Sequence, residues 1–303
     1  MRHLFVGSIL AFSLLSCGDK TPNTNSLDQL EKELNTSIEE KSTDQAISDS
    51  LIQTLNSIPS PIETAFQIQE NGGDYNKSFL NSVENQEIYS TTSIQALNLG
   101  IYSADLAYIN IYKSNDVIEY LTAVSRISQD LGIGKFFDLQ SMSQLVKHDD
   151  NLDSLLQVTT HNFAMINKYL QEQEQSHLSV LMLTGGWLEG LHLLNSVYLE
   201  KPSEALKERI GEQKIVLSQL VSLVAHYQEK DQTISELYSN LQELNAAFEK
   251  VKIERTESNE VEIVFVDGLR MAIPKNTSKI IISDDQINHI INLVDSTRST
   301  ITE

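Results

Sequence analysis

Asp105 and Glu189 stand in two stretches, 97–112 and 178–198, that are otherwise apolar nearly all round. Water cannot solvate a charge inside such a stretch. A carboxylate there is paired, hydrogen-bonded, protonated or functional. In the second stretch Glu189, His192 and Asn195/Ser196 recur at i, i+3 and i+6/7, and so share one stripe of a helix. Two readings follow. In one, Tyr102, Asp105, Trp187, Glu189 and His192 line a candidate ligand pocket, and an enzyme built there would use Asp105 and Glu189 as an acid/base pair. In the other, the polar groups form a buried network that holds the helices in register. The network is the favoured reading.

Metal chemistry fits poorly. Glu189-x-x-His192 spells half of a di-iron carboxylate site, and Glu174-x-x-His177 spells the motif again. The second copy straddles a junction between helices, so no metal centre and no cofactor are expected. His148, His161, His226 and His289 stand singly, without ligand spacing. The chain has no Gly-x-Ser-x-Gly, phosphate loop, His-Glu-x-x-His or dinucleotide fingerprint. A binding or scaffolding module is therefore favoured over an enzyme.

Cys17 carries a different chemistry. Arg2 precedes an apolar run, Leu4–Leu15, that is too short to span a bilayer core of roughly 30 Å as a helix. Leu14-Leu15-Ser16-Cys17 then fits a bacterial lipobox, apolar at −3 and small at −1. The thiol would take a diacylglyceryl group before cleavage frees the α-amine for acylation. An ordinary signal peptide with an incidental cysteine is the competing reading. Cys17 is the single cysteine of the 303 residues, which also excludes a disulfide framework and Cys-based metal sites. Gly18 rather than Asp follows it, which favours the outer over the inner membrane. More than one acyl chain holds a membrane stably.

The elements that must position these groups are helices. Low glycine (12) and proline (5) argue against an all-β sandwich. Residues 1–16 read as a lipoprotein signal peptide and 17–50 as a polar tether, with an r.m.s. reach on the order of 30 Å if flexible. Residues 51–250 read as a helical bundle, and 251–303 as a β-hairpin and final helix packed on it. Helical patterns cover 62–70, 94–112, 117–131, 136–146, 152–173, 178–199, a segment to about Gln228 with Pro202 in its first turn, and one after Asp231. The helices over 94–112 and 178–199 must be central, because they are apolar on every side. Gly100 and Gly186, and Tyr112 and Tyr198, are offset alike, which suggests a duplicated helical hairpin. Gly185, Gly186 and Gly190 call for close approach of a neighbouring backbone or, less favoured, of a ligand. Val261, Ile263 and Phe265 alternate with other residues and meet Asp267-Gly268, a hairpin signal; Lys279–Ile282 adds a strand. Ser283 and Gln286 form a capping box for the last helix, with Ile287, Ile290/Ile291 and Val294 inward.

The fold class is thus mainly α, a multi-helix bundle with two buried central helices and a small C-terminal hairpin. A net charge of −20 repels phosphates, so nucleic acid is excluded as a partner. The expected contacts are a membrane, reached through Cys17, and a small molecule or another envelope protein. Ser60-Pro-Ile-Glu63, Ala96–Tyr108, Asp130-Leu-Gly-Ile133 and Gly185-Gly-Trp-Leu-Glu-Gly-Leu191 resemble stretches of a family of uncharacterised helical lipoproteins of the bacterial cell envelope. The resemblance covers about residues 55–250 and the capped final helix. It implies a lipidated address and an all-helical core, and it brings no activity, ligand or site residue.

Overall fold

Two long helices that are apolar on every side need protein on every side, and the fold is built around that demand. In the computed structural model they are α2 (Thr92–Ile111) and α5 (Ser176–Glu200). The structure describes residues 46–47, 49–54, 60–137, 152–256, 261–266, 269–274 and 277–303, and only the backbone at 152–160, 255–256, 261–266, 269–274 and 277–278. The leader, Cys17, nearly all of the tether, His148, most of the expected helix 136–146 and the Asp267-Gly268 turn lie outside the described residues.

Helix α2 buries Leu97, Leu99, Ile101, Tyr102, Tyr108 and Ile109, and α5 buries nearly every residue from Ser176 to Val197. The two helices run parallel and touch backbone to backbone. Leu97 meets Gly185, Gly100 sits between Met182 and Gly186, and Asp105 reaches Glu189. A Cβ on Gly100 would stand 2.1 Å from Met182 O, and one on Gly185 would stand 2.0 Å from Leu97 O. Only glycine allows that approach. Gly190 is different, with nothing nearer than the Thr64 side chain at 3.8 Å.

The other helices screen this pair. They are α1 (Pro61–Glu70), α3 (Val117–Asp130), α4 (Leu152–Glu172), α6 (Glu204–Ala225), α7 (Gln232–Phe248) and α8 (Asp284–Thr302). Helix α3 packs on α2 and α6 on α5, so each central helix pairs with the amphipathic helix that follows it. Helix α1 covers both central helices, α4 covers α5, and α8 seals α5, α7 and α2. Side chains start the helices as their sequences require. Ser60 with Glu63 and Ser283 with Gln286 form capping boxes, and Ser203 and Asp231 accept from Leu206 and Ile234 N–H. Pro202 therefore precedes the cap of α6 instead of lying in its first turn, and α6 stops at Ala225. Asp116 occupies the N-cap position of α3 without capping it. Its carboxylate instead accepts from Tyr75 Oη (2.6 Å) and Lys77 Nζ (2.8 Å), which hold it down to about 2.

The C-terminal β structure is larger than the sequence suggests. β2 (Val261–Val266) pairs antiparallel with β3 (Leu269–Pro274), in the register Val266↔Leu269 through Val261↔Pro274. The later strand, β4 (Thr277–Ile281), pairs with β1 (Lys252–Thr256). β1 was not foreseen, because Lys-Ile-Glu-Arg-Thr is too polar to read as a strand. Ile280 of β4 rests on Gly211 of α6 and fixes this ladder to the bundle.

Between α1 and α2 the chain forms only short 3-10 turns, Lys77–Phe79 and Val83–Glu87. Backbone groups not used in helices or sheets need other partners. Tyrosines of the central core supply them. Tyr112, Tyr108, Tyr120 and Tyr102 donate to the carbonyls of Gly73, Asp74, Asn81 and Ser82, at 2.6–2.9 Å.

Candidate functional site

Asp105 of α2 and Glu189 of α5 come together, and both are wholly buried. The group that makes this tolerable is Arg298 of α8. Its Nε and a terminal nitrogen donate to the two oxygens of Glu189 at 2.6 and 2.8 Å, a bidentate pair. Burial opposes the guanidinium charge, and Glu189 outweighs that opposition, so Arg298 remains charged. The second terminal contact of Arg298 is to Phe79 O, at 3.4 Å.

Asp105 is held differently. Burial first, and the Glu189 charge second, push its carboxyl well above the usual carboxylate range; Arg298 and the Asn81 N–H pull the other way and lose. Asp105 Oδ2 accepts from Asn81 N–H at 3.1 Å. Its other oxygen, Oδ1, is buried with no partner of its own, and the Glu189 carboxylate lies close enough to raise the Asp105 carboxyl. Two buried carboxylates this close repel, so one of the pair carries a proton. That one is Asp105, because Glu189 is neutralised by Arg298. The cluster therefore holds one negative and one positive charge.

Around it the loop and helices interlock. Asn81 donates from its amide to Tyr89 Oη (2.9 Å) and accepts from Asn85 (2.9 Å). Tyr102 lies against Tyr89 and Tyr120, with ring centroids 6.4 and 6.0 Å away, and its hydroxyl is committed to Ser82 O. His192 joins the network from α5. Its Nε2 lies 3.1 Å from Phe79 O, the carbonyl that Arg298 also reaches, and its Nδ1 lies 2.8 Å from Asp295 of α8. Both neighbours are oxygen atoms of the surrounding elements, so the ring bridges α5, the loop and α8.

Of the residues grouped from the sequence, Asp105, Glu189, Tyr102 and His192 thus gather around one loop, 79–82. Trp187 does not join them. It is buried toward α6, where its Nε1 donates to Gln213 at 2.9 Å. Arg298 and Asn81 were missed. Arg298 was legible: positions 287, 291, 294 and 298 continue the inward stripe of the last helix, and an arginine on such a stripe needs a buried anion. Asn81 sits in a loop with no periodicity to place it.

The arrangement can store charge and bind segments together. Neither carboxylate has any surface exposed to bulk solvent. The second Glu-x-x-His does not support the first. Glu174 ends α4 in the left-handed region (φ 58°), and His177 opens α5. Burial, with a smaller contribution from Lys230, lowers His177 to about 4. Among the described residues no group of three or more His, Cys, Asp or Glu side chains could hold a metal ion, and no helix is long and apolar enough to cross a membrane. Set against models of known protein families, curated proteins and solved structures, the chain gives no match.

Proposed function

We propose that this chain is a lipid-anchored helical module of the bacterial cell envelope that binds or scaffolds and does not catalyse. Cys17 is its acylated residue, and the chain after it spaces the folded body from the membrane; the tether ends before residue 50, because Ile47 is already buried in the helical core beside Leu51. The observation that carries the non-catalytic reading is the sealed state of Asp105 and Glu189. A pair of carboxylates that hydrolyses a bond must share its cleft with substrate and water, as glycosidase pairs do. This pair shares its space with Arg298, Asn81 and each other. The address rests on Leu14-Leu15-Ser16-Cys17.

The test uses the full chain made in a bacterium with two membranes. Wild type should sediment with membranes and incorporate an alkyne-labelled fatty acid; Cys17→Ser should be released and unlabelled. Membrane association unchanged by that substitution would end the anchoring proposal. A hydrolytic activity abolished by Asp105→Asn, with the melting curve intact, would restore the acid/base reading.

A further inference from the structure

We infer that Asn71 is a site of spontaneous covalent modification, which loses its amide to the Gly72 backbone nitrogen when the end of α1 has come away from the central helices, and keeps it while that end is docked. Asn71-Gly72 is the single Asn-Gly pair of the chain. Such a pair is especially prone to this reaction, because glycine has no side chain to crowd its own nitrogen and lets the backbone turn freely. Asn71 is half-buried and Gly72 exposed, so water reaches the pair.

The Gly72 nitrogen gives up its proton to solvent and attacks Asn71 Cγ. The Cγ–Nδ2 bond breaks, and the nitrogen takes a proton from water and leaves as ammonia. A cyclic imide remains, and water opens it. Cleavage at Cγ leaves an aspartate at position 71. Cleavage at the backbone carbonyl leaves an isoaspartate, in which the main chain runs through the side chain. Nothing is oxidised or reduced.

The folded turn keeps the reacting atoms apart. The ring closes only with Gly72 N and Asn71 Cβ on the same side of the Asn71 Cα–C bond. At ψ 14° Gly72 N nearly eclipses the backbone nitrogen of Asn71 instead, well away from Cβ. Gly72 and Gly73 N–H donate to Gln69 and Ile68 O, both at 3.0 Å, and Gly72 stands at φ 80°, a helix stop of the Schellman type. The nucleophile is thus tied by its proton. The leaving group is tied as well, because Asn71 Nδ2 donates to Gln67 O at 2.7 Å.

Distant residues hold this stop shut. Lys201, just past α5, donates from Nζ to Gly72 O at 2.8 Å and to Asp74 Oδ2 at 2.6 Å. Tyr112, at the end of α2, donates to Gly73 O at 2.8 Å. A Cβ on Gly73 would stand 2.7 Å from the Ile68 side chain and 3.0 Å from that of Val197, so the turn is wedged against α5. Local opening must therefore precede the reaction. The change is also one-way. Either product loses the donor to Gln67 O and places a negative charge at the C-terminal end of α1, where the helix dipole opposes it. The isoaspartate further lengthens the main chain and moves Gly72 and Gly73 off the carbonyls they satisfy.

The test is peptide mapping by mass spectrometry of the full chain in mild detergent, aged in heavy-oxygen water at mildly alkaline pH, with and without urea. Loss of the Asn71 amide should be at least about tenfold slower in the folded chain than in urea, which corresponds to about 1.4 kcal/mol of local closure. Aspartate and isoaspartate carrying heavy oxygen should both appear at position 71. Lys201→Ala and Tyr112→Phe each remove a hydrogen bond to the turn. Each should speed the loss roughly two- to tenfold in the folded chain and leave the rate in urea unchanged. An unchanged far-ultraviolet spectrum shows that a variant is folded. An amide lost equally fast in the folded chain and in urea, an unfolded chain that keeps it, or folded variants that convert no faster than wild type would each overturn the inference.

Discussion

The least replaceable charge in the molecule is Glu189, and the most replaceable is Asp105, although both are wholly buried. Glu189 answers Arg298 through two hydrogen bonds. Glu189→Gln leaves a guanidinium without its anion, and breaking a buried pair in this way costs about 3–5 kcal/mol. Asp105 is protonated in the fold, so an amide at that position is likewise neutral and keeps an acceptor for the Asn81 N–H. The linkage has a definite sign. The folded state keeps the Asp105 proton above the range in which the unfolded chain releases it. The folded state then binds more protons, and stability falls as pH rises from the ordinary aspartate range toward the raised one. Asp105→Asn removes that fall. It should raise the melting temperature relative to wild type increasingly as pH climbs above the ordinary aspartate range, while leaving it nearly unchanged at pH 4. His177 acts on the acid side with the opposite sign. Its ring is lowered to about 4, so stability is lost as pH drops from about 6.5, the ordinary histidine value, toward 4. Asp105→Asn should leave this acid limb in place. Melting curves across pH check both limbs, and a wild-type profile identical to that of Asp105→Asn would show that Asp105 is ionised in the fold. The sequence marked Asp105 and Glu189 as costly, because a carboxylate in an apolar helix is visible at once. It could not say which was neutral, since that depends on an arginine 109 residues further along the chain.

At the scale of elements, the parallel contact of α2 and α5 depends on two glycines and tolerates a third. Gly185→Ala would drive a methyl against Leu97 O, a backbone atom that cannot turn aside. Overpacking of this kind costs typically about 1–3 kcal/mol, and sometimes more. Gly190→Ala meets only ordinary van der Waals contact with the Thr64 side chain, at 3.8 Å, and should gain roughly 0.5–1 kcal/mol from helix propensity. The two substitutions are chemically identical and five residues apart, so their opposite effects on chemical denaturation would locate the crossing. Equal effects would place the helix contact elsewhere. Helix ends offer a similar contrast. α1 and α3 end on Gly72 and Gly132 at positive φ, whereas α4 ends on Glu174 in the same region. Glu174→Gly relieves that strain and should stabilise by about 1 kcal/mol, a rise in Tm of roughly 2–4 °C. These elements were largely legible: the all-round apolar runs, the helix start at Asp231 and the capping box at Ser283 are local chemistry. β1 and the loop 71–91 were not. Their conformations are set by distant partners, Thr277–Ile281 for the strand and, for the loop, Tyr102 and Tyr108 of α2, Tyr112 at its C-cap and Tyr120 of α3.

For the whole molecule the governing quantity is charge. The chain carries a net −20, and among the described residues the buried charges are nearly balanced, so their acidic excess lies on the surface. Surface ion pairs such as Lys201–Asp74 and Arg209–Glu212 relieve little of it, because exposed pairs contribute at most about 1 kcal/mol each. The compact state therefore concentrates like charges that the unfolded chain holds further apart. Salt screens this repulsion. Between about 0.01 and 0.15 M the Debye length falls from about 30 to about 8 Å, shorter than the spacing of many surface carboxylates. The Glu189–Arg298 pair, largely buried, is weakened far less by the same ions. Added sodium chloride should thus raise the melting temperature over this range, although simple screening of attractive surface pairs would lower it. A Tm that falls steadily with salt would mean that attractive pairs dominate the surface. The same acidity bears on the proposed address. A body that repels anionic headgroups is held at a membrane by its acyl chains and not by its surface, so the release of Cys17→Ser should be complete at low and at high salt alike.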